Sequence, residues 1–285
     1  MADVPVAVVA ENLDVTTRDG TADALFCHPT EGGPHPGVLL YMDAYGLRPA
    51  VEAHARRLAG HGYSVLVPNV FYRSGRSPVL ENIEARITSP DRSALFAELR
   101  PKMALVTPEA AVADGQAWFE FLRGRAEVRE APVGTVGYCM GGRLALRMAG
   151  EFADAVSAAA SFHGGGLATG EDSSPHLAAV RAAGELYIGH ADNDGSMPPE
   201  QMARLTEVLA EAHVRHTAEL YPGAAHGWTQ TDTPAYDEEA SERPGCACSS
   251  SSAACSSRAS RLRRCSSHSR IVSAPRSTAC AARAV

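Results

Sequence analysis

The stretch Val136-Gly137-Tyr138-Cys139-Met140-Gly141-Gly142 decides the reading of this chain. It has the form G-x-C-x-G, with apolar residues leading in from Val133 and a helix-forming run, Arg143 to Ala149, leading out. A tight strand-to-helix turn of this kind holds its central residue in strained backbone geometry. It leaves no room for a Cβ two positions to either side, so glycine is required there. The pattern therefore predicts a nucleophile at Cys139, at a helix N-terminus whose dipole favours thiolate. The competing reading is a structural cysteine buried in a Gly-rich connection, because free Cys is among the most buried residue types. Five residues alone leave the two readings even. The rest of the chain has to decide.

Outward from this turn, apolar runs alternate with helical patterns, the signature of a mostly parallel sheet with crossover helices. Predicted strands are Ala24–Cys27, Gly37–Met42, Ser64–Val67, Gly134–Tyr138, Val156–Phe162, Glu185–Gly189 and His216–Tyr221, the first pairing antiparallel at an edge. Helical periodicity marks Pro49–Gly60, Pro108–Arg123, Met140–Ala149 and Pro199–Ala212. The polar, helix-prone segment Ser74–Thr107 sits where this topology carries an excursion beside its active site. The fold class is α/β, with helices on both faces of the sheet.

Composition supports a globular body, with 45% hydrophobic and 21% charged residues in a chain of 285. The first residues lack the basic and apolar segments of a signal peptide, and no run approaches the roughly 18 apolar residues of a membrane span. A cytoplasmic protein with no membrane partner is expected. From Pro244 onward there are seven Arg and no acid, so the net charge of −7 places −7 − 7 = −14 on residues 1–243. Such an acidic body offers no footprint for nucleic acid. Five of the seven cysteines also fall after Pro244, and the two in the body, Cys27 and Cys139, show no paired spacing. Two regions follow: a domain over residues 1–243, and a Ser/Cys/Arg-rich tail over 244–285 whose composition predicts disorder. The tail reads as GC-rich coding sequence out of frame. The body agrees with such a genome in holding a single lysine, Lys102, against many arginines.

A nucleophile on this topology needs an acid and a base on later loops past strand carboxyl ends, in the order nucleophile, acid, histidine. The strand Glu185–Gly189 runs into His190-Ala191-Asp192-Asn193-Asp194-Gly195-Ser196, and His216–Tyr221 runs into Pro222-Gly223-Ala224-Ala225-His226-Gly227. A buried carboxylate would orient the imidazole of His226 as general base. Spacing alone leaves Asp192 and Asp194 both open as the acid. His163 and His190 also lie near strand ends and could imitate a metal site with these residues. No paired ligand spacing organises them, so no metal and no cofactor are expected.

These pieces together resemble the dienelactone hydrolase family. Asp43-Ala44-Tyr45-Gly46, Pro68-Asn69-Val70-Phe71-Tyr72-Arg73, Gly137-Tyr138-Cys139-Met140-Gly141-Gly142, Asp194-Gly195-Ser196-Met197-Pro198 and Tyr221-Pro222-Gly223-Ala224-Ala225-His226-Gly227 occur in the family's order. The resemblance implies an α/β-hydrolase fold and a catalytic triad of Cys139, Asp194 and His226, with Asp194 selected over Asp192. It implies an oxyanion hole from the backbone N–H groups of Ala44 and Met140, a thiol-activating acid at Asp43 and a substrate-carboxylate ligand at Arg73. A second family arginine, four residues past the histidine, is Gln230 here. The expected activity is hydrolysis of a small-molecule ester or lactone by a monomer. The rival readings are a broad carboxylesterase or thioesterase of the same fold and a catalytically inactive binding protein.

Overall fold

The computed structural model describes residues 6–243. The strands and helices run, in chain order, β1 (Val8–Thr17), β2 (Gly20–Pro29), β3 (Gly37–Tyr41), α1 (Pro49–Gly60), β4 (Ser64–Pro68), α2 (Ile83–Ile87), α3 (Ser93–Ala104), α4 (Pro108–Arg123), β5 (Val133–Tyr138), α5 (Met140–Glu151), β6 (Val156–Phe162), α6 (His176–Ala179), β7 (Glu185–Ala191), α7 (Pro199–Glu211), β8 (His216–Tyr221) and α8 (Glu238–Glu242). They form the expected α/β-hydrolase fold. The eight strands make one sheet in the order β1-β2-β4-β3-β5-β6-β7-β8. From β4 to β8 all pairs are parallel, while β1–β2 and β2–β4 are antiparallel.

The central strands are apolar runs because both their faces are covered: every residue of β3, β4 and β5 is buried. Helices α1, α4 and α7 each begin with proline in the first turn, where its missing N–H costs nothing. Thr107 caps α4 by accepting from the Ala110 N–H at 3.2 Å. These helices match the periodicity to within a residue.

Two departures from expectation have physical causes. β1 was not foreseen, because it is the sheet edge and largely half-exposed, and its VVAENLDVTT mixes polar and apolar residues without a strict alternation. It, rather than the Ala24–Cys27 strand, forms the antiparallel edge. The 74–107 excursion is ordered into α2 and α3 around an apolar cluster of its own, Leu80, Ile83, Ile87, Leu95 and Leu99, against which Tyr45, Phe96 and Met103 pack. Its apolar residues are divided between that small cluster and, through Val79, Met103 and Val106, the main core, so no long amphipathic stripe announces it. The expectation for residues 244–285 falls outside the described residues. Among the described residues, no helix is long and apolar enough to cross a membrane.

Candidate active site

Cys139 stands between β5 and α5 with φ 52° and ψ −116°, a conformation that L-residues adopt only under constraint. The flanking glycines are what permit it. A Cβ on Gly137 would overlap the Gly141 carbonyl, and one on Gly141 would overlap the Tyr41 carbonyl. The turn is pinned by the Cys139 N–H donating to the Phe162 carbonyl at 3.0 Å. Cys139 is half-buried and opens onto a cavity of about 470 Å³.

Parallel strands bring the remaining residues to the same end of the sheet. The loop after β7 carries Asp194, whose Oδ2 lies 2.6 Å from His226 Nδ1 on the loop after β8. Its other oxygen accepts from the backbone N–H and the hydroxyl of Ser196, at 2.8 and 2.7 Å. Burial works against ionisation of Asp194, but the bonds from His226 and Ser196 outweigh it and bring its pKa down to about 2. Burial also opposes a charge on His226, yet the bonds to Asp194 and Cys139 raise its pKa to about 10. The imidazolium is therefore the neutral-pH form. Asp192, the open alternative, accepts instead from the Gly223 N–H at 2.9 Å and braces the His226 loop.

His163 and His190 do not join a ligand cluster. The His163 ring lies edge-on to His226 at 5.3 Å, with Nε2 on the Thr229 hydroxyl at 2.8 Å, and burial keeps it neutral. His190 is buried, both ring nitrogens lack a partner, and burial lowers its pKa to about 4. Glu11, His28 and Glu127 have ligand atoms within 4.8 Å of one another. They lie outside the cavity lining, and Arg125 bonds both carboxylates.

Ala44 and Met140 both line the cavity. Met140 opens α5, so its N–H has no partner within the helix. Asp43 lines the cavity too, but its carboxylate is held by Arg48, Nη1–Oδ1 at 2.7 Å and Nη2–Oδ2 at 2.8 Å, and by the Tyr45 N–H at 2.9 Å. Arg48 is itself buried and reaches Gln230 Oε1 at 3.2 Å and Asp232 at 2.6 Å. This network ties the loop after β3 to the segment after His226. Nothing in the sequence pattern pointed to Arg48, because two of its three side-chain partners, Gln230 and Asp232, are distant in the chain.

Arg73 is committed to other partners. Its guanidinium does not line the cavity; it forks onto Asp114 at 2.8 and 2.9 Å, meets Asp19 at 2.6 Å and lies over the Tyr72 ring at 4.5 Å. A bidentate pair with the buried Asp114 gives it a role in joining β1–β2 to α4. The arginines that do line the cavity are Arg92, beside α3, and Arg143, in the first turn of α5. Neither was singled out from the sequence.

A parallel sheet with a cysteine on a strained strand–helix elbow, followed in order by Asp194 and His226 on adjoining loops, defines an α/β-hydrolase. Residues 22–246 match the dienelactone hydrolase family description. A carboxymethylenebutenolidase of Rhodococcus opacus is 26% identical over 217 residues, 73% of this chain and 77% of that protein. One from Pseudomonas putida is 24% identical over 230 residues, 80% of this chain and 90% of its own. A Klebsiella pneumoniae crystal structure bearing the dienelactone hydrolase name superposes with a TM-score of 0.71 at 23% identity, covering 83% of this chain and 94% of that one. The chain belongs to the dienelactone hydrolase family and is a carboxylic ester hydrolase.

Proposed function

We propose that the protein hydrolyses an enol-lactone or comparably activated ester through a thioester at Cys139. The observation that carries this reading is the 2.6 Å contact between Asp194 and a His226 that shares one cavity with the elbow cysteine. The Cys139 thiolate attacks the carbonyl carbon while the Ala44 and Met140 N–H groups hold the developing oxyanion. The carbon–oxygen bond to the leaving group breaks, and the His226 imidazolium delivers its proton to the departing oxygen. His226, now neutral, takes a proton from water, which attacks the thioester. The thiolate leaves, and the acid product departs.

Leaving-group chemistry narrows the substrate. A thiolate, with a reference pKa near 8.5, is expelled from a tetrahedral intermediate far more readily than an alkoxide. Attack on a plain alkyl ester therefore reverts, whereas enolates, phenolates and thiolates leave forward. The carboxymethylenebutenolidase names of the relatives agree with this class. The engagement of Arg73 with Asp114, together with Gln230 in place of arginine, favours a second reading: a broader aryl esterase or thioesterase. In either case the protein acts as a cytoplasmic monomer on a small molecule, with no cofactor.

The test is 4-nitrophenyl acetate hydrolysis by the full chain, with intact-mass detection of an acetyl adduct. Wild type is expected to turn over and to carry the adduct at Cys139, and Cys139→Ala to do neither. Retained turnover in Cys139→Ala would sink the cysteine mechanism. A kcat/KM for an enol-lactone well above that for the neutral aryl ester selects the first reading over the second; the reverse order selects the second.

A further inference from the structure

We infer that Arg143, seconded by Arg92, is the residue pair that reads a negative charge on the substrate, in the place the family motif would give to Arg73. This rests on the hydrolase reading and adds to it which side chains set its charge preference.

Placement of Arg143 works against stability unless an anion visits it. It stands in the first turn of α5, at the positive end of that helix dipole, where a cation is unfavourable. It also raises the local positive potential felt by Arg147. Most arginines in similar or greater burial meet a carboxylate, as Arg48 does with Asp43 and Arg73 with Asp114. Arg143 is half-buried and, among the described residues, makes no ion pair. Its head, not only its stem, reaches the site: Nη1 lies where a side chain at Gly166 would be in contact at 3.4 Å, and Gly166 lines the same cavity.

Arg92 approaches from the excursion. It lines the cavity, donates through Nη1 to the Tyr45 hydroxyl at 3.1 Å and forms no salt bridge among the described residues, so most of its five donors carry no carboxylate. The two carboxylates of the cavity wall cannot neutralise either arginine, because Asp43 is held by Arg48 and Asp194 by His226. The cavity thus carries two uncompensated guanidinium groups beside a nucleophile. A substrate carboxylate would satisfy them by charge-assisted, forked bonds.

The experiment compares a mono-4-nitrophenyl dicarboxylate ester, anionic, with a neutral 4-nitrophenyl ester of matched length, on full-chain wild type, Arg143→Gln, Arg92→Gln and Arg73→Gln. A charged hydrogen bond converts to roughly 10- to 150-fold in affinity. The anionic-to-neutral ratio of kcat/KM is expected to fall about 10- to 150-fold in Arg143→Gln, less in Arg92→Gln, and to stay level in Arg73→Gln. A second readout needs no hydrolysis: the rate of Cys139 alkylation by iodoacetate relative to iodoacetamide, followed on the Cys139 peptide by mass spectrometry. That ratio should fall in Arg143→Gln and Arg92→Gln. If wild type cleaves neither ester while the alkylation ratio still falls, the hydrolase reading fails and the charge-reading pair stands. An alkylation ratio unchanged in both variants, or a ratio that moves with Arg73→Gln instead, overturns the inference.

Discussion

The floor and the wall of the cavity are built by different physics. The floor is Cys139, Asp194 and His226, each set past the end of a parallel strand; β5 and β7 are wholly or mostly buried, and β8, the edge, is fixed by its ladder to β7. The wall is the 74–107 excursion, contributing Arg92, Phe96 and Met103 from helices that rest on a five-residue apolar cluster of their own. The floor tolerates almost no change, because backbone atoms of β3 and α5 stand where side chains would go. The wall is held by side-chain packing, which can be altered locally. On the proposed reading the chemistry and Arg143 sit on the rigid part, and the replaceable part adds Arg92, Phe96 and Met103 to the substrate's surroundings.

That contrast breaks first at the elbow. Gly137→Ala puts a methyl onto the Gly141 carbonyl, where no rotamer can relieve the overlap. The expected result is loss of soluble protein, or of about 10²-fold or more in kcat if it folds. Far-UV circular dichroism and the aryl ester assay check it. Near-normal activity would mean the strand–helix turn is far looser than its geometry indicates.

Asp194→Asn is the next largest. Losing the carboxylate that orients His226 is expected to lower kcat by about 10²- to 10⁴-fold, as in serine triads. The pH profile sharpens the point. His226 with a pKa near 10 stays protonated at neutral pH, and its proton is what the leaving oxygen needs. Activity should therefore hold through neutral pH and decline as pH rises through about 10. In Asp194→Asn the stabilising carboxylate is gone, so the alkaline limb should move to lower pH. A limb unmoved by the substitution would show that Asp194 does not govern this proton.

Arg73→Leu tests a place outside both floor and wall. Among the described residues it leaves the buried Asp114 carboxylate with only the Tyr72 hydroxyl, 2.8 Å away, as a side-chain hydrogen-bond donor. The expected cost is about 2–4 kcal/mol of stability, or roughly 5–10 °C in Tm, with neutral-ester kcat within about 3-fold of wild type. A large change in kcat at unchanged Tm would return Arg73 to the site. Smallest of all, Phe96→Ala on the wall should raise KM for an aryl ester about 3- to 10-fold, leaving kcat nearly constant, since only uniform binding is lost. Equal losses in kcat would show that the wall also positions the reacting carbonyl.

Legibility followed the same division. The elbow could be read from one chain because Gly137, Cys139 and Gly141 answer a steric demand that is local and leaves a mark in residue type. The loops of Asp194 and His226 were found from strand order, since each follows an apolar run by a few residues. Between Asp192 and Asp194, spacing had no preference. The structure separates them by direction: one carboxylate meets His226 and the other meets the Gly223 N–H. Arg48 was invisible because, besides Asp43 nearby, it joins Gln230 and Asp232, which lie 182 and 184 residues away.

What the sequence by itself determined is the fold class and the kind of hydrolase, through a cysteine on a strained turn, a later acid and a later histidine in an α/β chain. Local sterics and the period of buried strands carry that information within a few residues of each other. What only the tertiary structure decided is which charges are spent and which are free. Arg73 and Arg143 look alike in the chain. Folding gives the first a pair of carboxylates, Asp19 and Asp114, and among the described residues leaves the second at the cavity without one. Charge compensation depends on distances of a few ångströms between residues far apart in sequence, and no local pattern encodes those distances.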